Sequence, residues 1–174
     1  MTQSVELVLD DASDGAIRGL WARLAEAGLP TEQRRTPSGS HRPHVTLFAA
    51  DAIAPAADQA LPEAFAALRV TVRIGGLLAF GPRRGAVVLV RSVVPSRELL
   101  DLQAEVAARC GADPAGHFGP GRWTPHVTLA RRVPIAQLGA VVQALGDLPE
   151  LEGTSLRCRR WDSDRRVTWE LTGG

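Results

Sequence analysis

Two histidines and two threonines stand in identical surroundings in this chain: Pro43-His44-Val45-Thr46-Leu47 recurs letter for letter as Pro125-His126-Val127-Thr128-Leu129. On an extended strand successive side chains point to opposite faces, so in each copy His and Thr share one face while Val and Leu share the other. Each Pro keeps the backbone extended just ahead of its His. Brought together, the two copies place two imidazoles and two hydroxyls in one pocket. Cleaving a phosphodiester requires one group to take a proton from the attacking hydroxyl or water and another to give one to the leaving oxygen. Histidine does both near neutral pH. Each role typically contributes about 10²–10⁴-fold, and threonine hydroxyls suit the phosphoryl oxygens on which charge accumulates.

Other chemistries compete for the same residues. A zinc site would need a third ligand, for which His41 or His117 is at hand. Against it, no carboxylate lies beside the histidines in sequence to orient them, and the repeated Thr would have no role. A serine hydrolase lacks its G-x-S-x-G turn. The run "GGLLAFG" is not a phosphate loop, since no strand-Gly-helix arrangement with Lys follows. Arg42, His41, Arg122 and His117 sit at the mouths of the two motif strands, positioned to touch phosphate or ribose or to be solvated loop residues.

The elements around each copy follow one order. Val5 to Leu9 reads as a strand. Asp14 to Gly28 reads as a helix, with Ile17, Leu20, Trp21 and Leu24 at spacings of three and four. A polar loop leads to strand "HVTLFA", a helix over Asp58 to Leu68, and strand "RVTVRIGGLLAF", bent at Gly75-Gly76. The order then restarts with strand "GAVVLVRSV", a helix from Pro95 to Cys110, a Gly-rich loop, strand "TPHVTLARR" and a helix from Ile135 to Leu145. Two closing strands, "LEGTSLRCRRW" and "RRVTWELTG", come last, forming a hairpin across "DSD". The 82 residues between His44 and His126 also bring Val5–Leu9 onto Val87–Arg91 and Val70–Ile74 onto Glu152–Leu156. An internal duplication of a strand-helix-strand-helix-strand unit is expected, in one bilobal domain over residues 1–174 with halves at about 4–80 and 86–172. Helices alternating with strands at this rhythm make an α/β or α+β protein with helices packed over sheet.

The chain has 174 residues, enough for one substantial core, with 45% hydrophobic and 22% charged residues, as in an ordinary globular protein. Its apolar runs are too short to cross a bilayer, so a cytoplasmic protein with no membrane partner is expected. Cys110 and Cys158 have no metal-ligand spacing and read as reduced thiols. All 20 basic residues are Arg, and neither Lys nor Tyr is present, which removes a Lys nucleophile and a Tyr general acid. A formal net charge of +1 excludes the large positive field that long duplex nucleic acid requires, and leaves a short or terminal ligand.

Two H-x-T motifs in a duplicated frame of this size resemble the 2H phosphoesterase superfamily, in particular its 2′-5′ RNA ligase or RNA 2′,3′-cyclic phosphodiesterase branch. "RWTPHVTLAR" is similar to that branch's signature around the second motif. The resemblance implies an α+β fold in which the duplicated units form two antiparallel sheets around a central groove, with helices outside. It implies a metal-independent enzyme without cofactor that opens 2′,3′-cyclic phosphates of RNA ends or nucleotides to 2′-phosphates, and whose groove can also join 2′-5′ linkages. A non-catalytic nucleotide-binding module using the same groove is the alternative. Carried over by position, His44 and His126 form the acid-base pair, Thr46 and Thr128 hold the phosphate, and Arg131 helps to neutralise it. With no Tyr to serve as a base platform, Trp123 is the candidate for stacking, beside Phe48, Phe80 and Phe118, and as a hydrophobic strand residue it reads equally as core. The expected partner is an RNA terminus, short oligonucleotide or cyclic nucleotide bound to a monomer.

Overall fold

Alternation and capping account for most of the elements. The computed structural model describes residues 2–33, 41–66, 68–155 and 157–172. Strand β1 (Gln3–Val8) buries Val5 and Leu7 in the core, and helix α1 (Asp11–Glu26) packs Ile17, Leu20, Trp21 and Leu24 against it. The cap of α1 is Asp10, whose carboxylate accepts from Ser13 N at 3.0 Å, rather than Asp14 as the sequence predicted. Asp14 instead lies buried in the first turn, where it accepts from Arg18 and Arg42. Residues 34–40 of the polar loop before the first motif lie outside the described residues.

Strand β2 (His44–Ala50) carries the first motif. Helix α2 (Pro55–Ala64) begins three residues ahead of Asp58 because Pro55 presets its first turn. Then come β3 (Val70–Arg83), β4 (Ala86–Val93) and helix α3 (Arg97–Arg109), capped by Ser96. Strand β5 (His126–Pro134) carries the second motif. A 3-10 turn at Ile135–Gln137 leads into α4 (Leu138–Leu145), followed by β6 (Leu151–Ser155), β7 (Arg157–Asp162) and β8 (Val167–Glu170).

The strands form two four-stranded antiparallel sheets, ordered β2-β1-β7-β8 and β5-β4-β3-β6, so each motif strand is the outermost strand of its sheet. The stretch expected as one closing strand is two: β6 pairs with β3 in the second sheet, and β7 crosses to pair with β1 in the first. The hairpin across the Asp-Ser-Asp turn joins β7 to β8. Val70 to Ile74, which falls on the β6 region at the 82-residue offset, is in fact hydrogen-bonded to it, from Val70 opposite Ser155 to Ile74 opposite Leu151. Strand β3 shifts register between Ile74 and Leu77, at the expected Gly75-Gly76 bend. No described helix is long and apolar enough to cross a membrane.

A bulge follows the Thr of each motif. The register of β1 on β2 jumps from Thr46 to Phe48, and that of β4 on β5 from Thr128 to Ala130, leaving Leu47 and Leu129 as the extra residues. Both leucines are fully buried. The carbonyls of this segment are taken by donors from distant parts of the chain. Trp123 Nε1 donates to Thr46 O and Trp21 Nε1 to Thr128 O, each at 3.0 Å, while Gln103 Nε2 donates to Leu47 O at 3.3 Å and Glu32 N to Leu129 O at 2.9 Å. These bonds satisfy polar backbone at the rim of each sheet and tie each motif strand to the opposite half of the sequence. Replacing Trp21 or Trp123 by Phe keeps the ring and strands a buried carbonyl. Each variant is expected to lose about 1–3 kcal/mol of unfolding free energy in urea titrations, with the slope unchanged.

Candidate functional site

Because the bulge adds one residue, the groove face of each motif strand does not follow strict alternation. In β2 it presents His44, Thr46 and then Ala49; in β5, Thr128 is followed on that face by Arg131. One cavity of about 500 Å³ is lined by His44, Thr46, Ala49, Thr128 and Arg131, together with Ser4 and Glu6 of β1, Trp21, Glu32, His41 and Trp161. The first motif, the second Thr and Arg131 therefore converge, although they come from two sheets.

The two imidazoles are held alike. His44 Nδ1 lies 2.7 Å from Arg42 O and His126 Nδ1 lies 2.7 Å from Thr124 O. A carbonyl can only accept, so Nδ1 carries hydrogen in each ring and Nε2 is left for proton transfer. Beyond that bond their surroundings differ. His44 Nε2 faces Glu6 Oε1 at 3.5 Å. Glu6 is only 4% exposed, and its Oε1 also accepts from Ser4 Oγ at 2.7 Å while Oε2 receives Arg159 Nε and Nη2, both at 2.8 Å. Burial alone would raise the Glu6 carboxyl, but the charges of His44 and Arg159 and the Ser4 and Arg159 hydrogen bonds outweigh it and hold the group below its ordinary range. His126 instead packs edge-on against Phe80, with ring centroids 4.8 Å apart. Burial lowers its pKa; the Thr124 carbonyl works the other way, and the charges of Arg131, His117 and His44 add to the lowering.

The remaining expected contacts separate. Arg131 lines the cavity, but its Nε is 3.1 Å from Glu32 Oε1. Arg42 turns to α1, with Nε 3.0 Å from Asp14 Oδ2 and Nη2 3.5 Å from Asp11 Oδ1. His117 is exposed with its ring against Phe118, and Arg122 is exposed and does not line the cavity. Of its two readings Trp123 takes the place of a core residue: it is 9% exposed and its N–H is spent on Thr46 O. Phe48 is likewise buried, leaning on Phe118. His41, a third zinc ligand by sequence, stacks on Trp21 at 5.2 Å and faces Glu32 Oε2 at 3.6 Å. Among the described residues no group of three or more His, Cys, Asp or Glu is arranged to hold a metal. Cys110 and Cys158 are free thiols.

Sequence reasoning missed Glu6, Glu32 and Trp161. Glu6 had a signal: it is the charged residue of its strand, set between Val5 and Leu7 and on the opposite face from them.

Both groups lead to a test by pH. His126 has its native pKa below 6.5, so below that value the unfolded chain binds more protons. Stability should therefore fall as pH drops from 6.5 through the native value. Glu6, with native pKa below 4.5, contributes stability that is present above 4.5 and lost as pH falls further. Urea unfolding across pH should show a shallower loss below 6.5 in His126→Gln and below 4.5 in Glu6→Gln than in the wild type.

The fold has solved relatives. TT0787 of Thermus thermophilus superposes with a TM-score of 0.62 at 18% identity, covering 98% of this chain and 95% of that one. E. coli LigT complexed with 3′-AMP gives 0.58 at 17% identity, covering 98% of each chain. Usb1 of Kluyveromyces marxianus gives 0.53 at 13% identity, covering 99% and 98%. No curated protein matches the sequence. The model of the 2′-5′ RNA ligase superfamily matches residues 9–165, nearly the whole chain and both His-x-Thr motifs. With two antiparallel sheets, paired motif strands and that match in hand, the chain belongs to the 2′-5′ RNA ligase superfamily, among the 2H phosphoesterases.

Proposed function

We propose that this protein is a cytoplasmic, metal-independent phosphodiesterase that opens the 2′,3′-cyclic phosphate of an RNA end or nucleotide to a 2′-phosphate, and that 2′-5′ joining follows when a 5′-hydroxyl takes the place of the attacking water. The observation that carries this reading is the shared tether of His44 and His126. Each Nδ1 is fixed on a carbonyl two residues back, at 2.7 Å, so both Nε2 atoms are aimed by the same device. E. coli LigT, of the same fold, has been crystallised with 3′-AMP and with phosphate, which supports a terminal nucleotide as the ligand class here.

The difference in surroundings sets the roles. His126, held neutral by burial beside Phe80, takes a proton from the attacking water. His44, whose Nε2 faces the Glu6 carboxylate at 3.5 Å, takes the other role and delivers a proton to the departing O3′. The water oxygen joins phosphorus as the bond to O3′ breaks, leaving the phosphate on O2′. Thr46 and Thr128, both on the cavity wall, donate to the non-bridging oxygens. We read the chain as a single bilobal monomer built from duplicated halves. The motif strands, their bulges and the carbonyls that accept from the opposite half recur at the 82-residue offset, which supports the duplication.

Hydrolysis of a 2′,3′-cyclic mononucleotide and of a short RNA ending in a cyclic phosphate, with EDTA present, tests the reading. The wild type should yield the 2′-phosphate with a rate that falls on both sides of an optimum. His44→Ala and His126→Ala should each lose about 10²-fold or more, and Thr46→Ala or Thr128→Ala less. Nucleotide binding without turnover would convert the groove into a receptor; full activity in either His variant would refute the mechanism.

A further inference from the structure

The cations that line the cavity are matched by buried carboxylates. Arg131 is set against Glu32 at 3.1 Å, His41 against the same carboxylate at 3.6 Å, and His44 against Glu6 at 3.5 Å. Arg42 is turned away toward Asp14 and Asp11, and Arg122 does not line the cavity. Glu6 is the carboxylate closest to the proposed chemistry. A phosphate oxygen within hydrogen-bond reach of His44 Nε2 has Glu6 Oε1 as its neighbour, and Glu6 cannot withdraw. Both Arg159 nitrogens hold its Oε2, the Ser4 hydroxyl holds its Oε1, and its own strand is locked by the Cys158 thiol donating to Glu6 O at 3.2 Å. A ligand with one negative charge sets that single charge against Glu6 across the His44 ring. A ligand with two brings a surplus charge beside a fixed anion in a partly desolvated site.

We propose that Glu6 makes the cavity selective for phosphodiesters, which carry one negative charge, and against phosphomonoesters, which carry two. Ring opening converts the first into the second, so the same carboxylate that faces the acid also loosens the product. This rests on the groove being the site of a nucleotide phosphate, as proposed above.

Calorimetric titration of the wild-type protein compares adenosine 2′-monophosphate with its methyl phosphodiester, which stays singly charged at every pH used. The second ionisation of the monoester falls near pH ~6. At about pH 5 both ligands carry mostly one charge and should bind within about threefold of each other; at about pH 7.5 the diester should bind about tenfold tighter or more. At each pH both ligands meet the same free protein, so the ratio compares a singly with a doubly charged phosphate. Glu6→Gln should bring the ratio at the higher pH back to within about threefold and strengthen inhibition by the 2′-phosphate product. Should the loss of the carboxylate opposite Arg159 unfold that variant, Glu6→Gln/Arg159→Gln removes both charges and the same ratio is expected. Equal affinities in the wild type at the higher pH, or an unchanged preference in a folded Glu6 variant, overturns the proposal while leaving the phosphodiesterase reading standing. Failure of both ligands to bind at either pH overturns that reading and the proposal with it.

Discussion

Backbone carbonyls released by two bulges hold the groove together. An extra residue in an edge strand breaks the ladder and exposes polar backbone that must find new partners. Here the partners come from the opposite half of the chain: the Trp123 indole and the Gln103 amide for β2, the Trp21 indole and the Glu32 amide for β5. The same insertion resets the alternation, so Arg131 reaches the cavity wall with Thr128. Coupling these two effects makes the site and the joint between the sheets one structure. The motif leucines, fully buried and carrying the bulges, are as necessary to the site as the histidines they follow.

Equivalent positions then diverge where the chemistry needs it. In the first sheet Glu6 lies opposite Arg159, a charged cross-strand pair beside His44. In the second sheet, 82 residues on from Glu6, Val88 lies opposite Phe80, an apolar pair whose aromatic ring meets His126. One frame thus supplies an imidazole against an anion and an imidazole against an aromatic edge. Two identical environments would push both rings the same way, whereas the acid and base roles proposed for them require that they differ.

The sequence exposed the motif itself most clearly. A pentapeptide repeated at a fixed offset, with the same element order around it, identified the motif strands and the helices, and the family resemblance added their grouping about a groove. It could not show which groups from other strands would face the rings, because Glu6 is near neither motif in the chain and reaches His44 only through the pairing of β1 with β2. Nor could it show the change of sheet between β6 and β7, since "LEGTSLRCRRW" reads as one extended run and the break is set by which partner strand is available on each side. Trp123 failed as a stacking platform for a related reason. An indole beside a motif has the composition of a binding residue, but a bulge carbonyl needing a donor is a tertiary fact.

The arginines show why composition alone misjudges the cavity. A chain whose 20 basic residues are all Arg places permanent charge wherever it needs a long side chain, yet the guanidinium fork is also suited to satisfying several acceptors at once. Arg91, 1% exposed, spans the carbonyls of Gly75, Ile74 and Pro149 and so braces the bend in β3. Arg160, 2% exposed, ties β7 to Asp58 of α2 at 2.7 Å, and Arg159 fixes Glu6. These interior arginines bind protein acceptors, which is the condition under which a buried guanidinium is tolerated. Near the groove, Arg131, Arg42 and Arg159 each face a carboxylate, so these basic residues brace the fold and set the balance of charge in the groove instead of flooding it with positive potential. For the reaction proposed above, a groove balanced in this way would select its ligand by shape and by the placement of two protons, with little part for bulk attraction to phosphate.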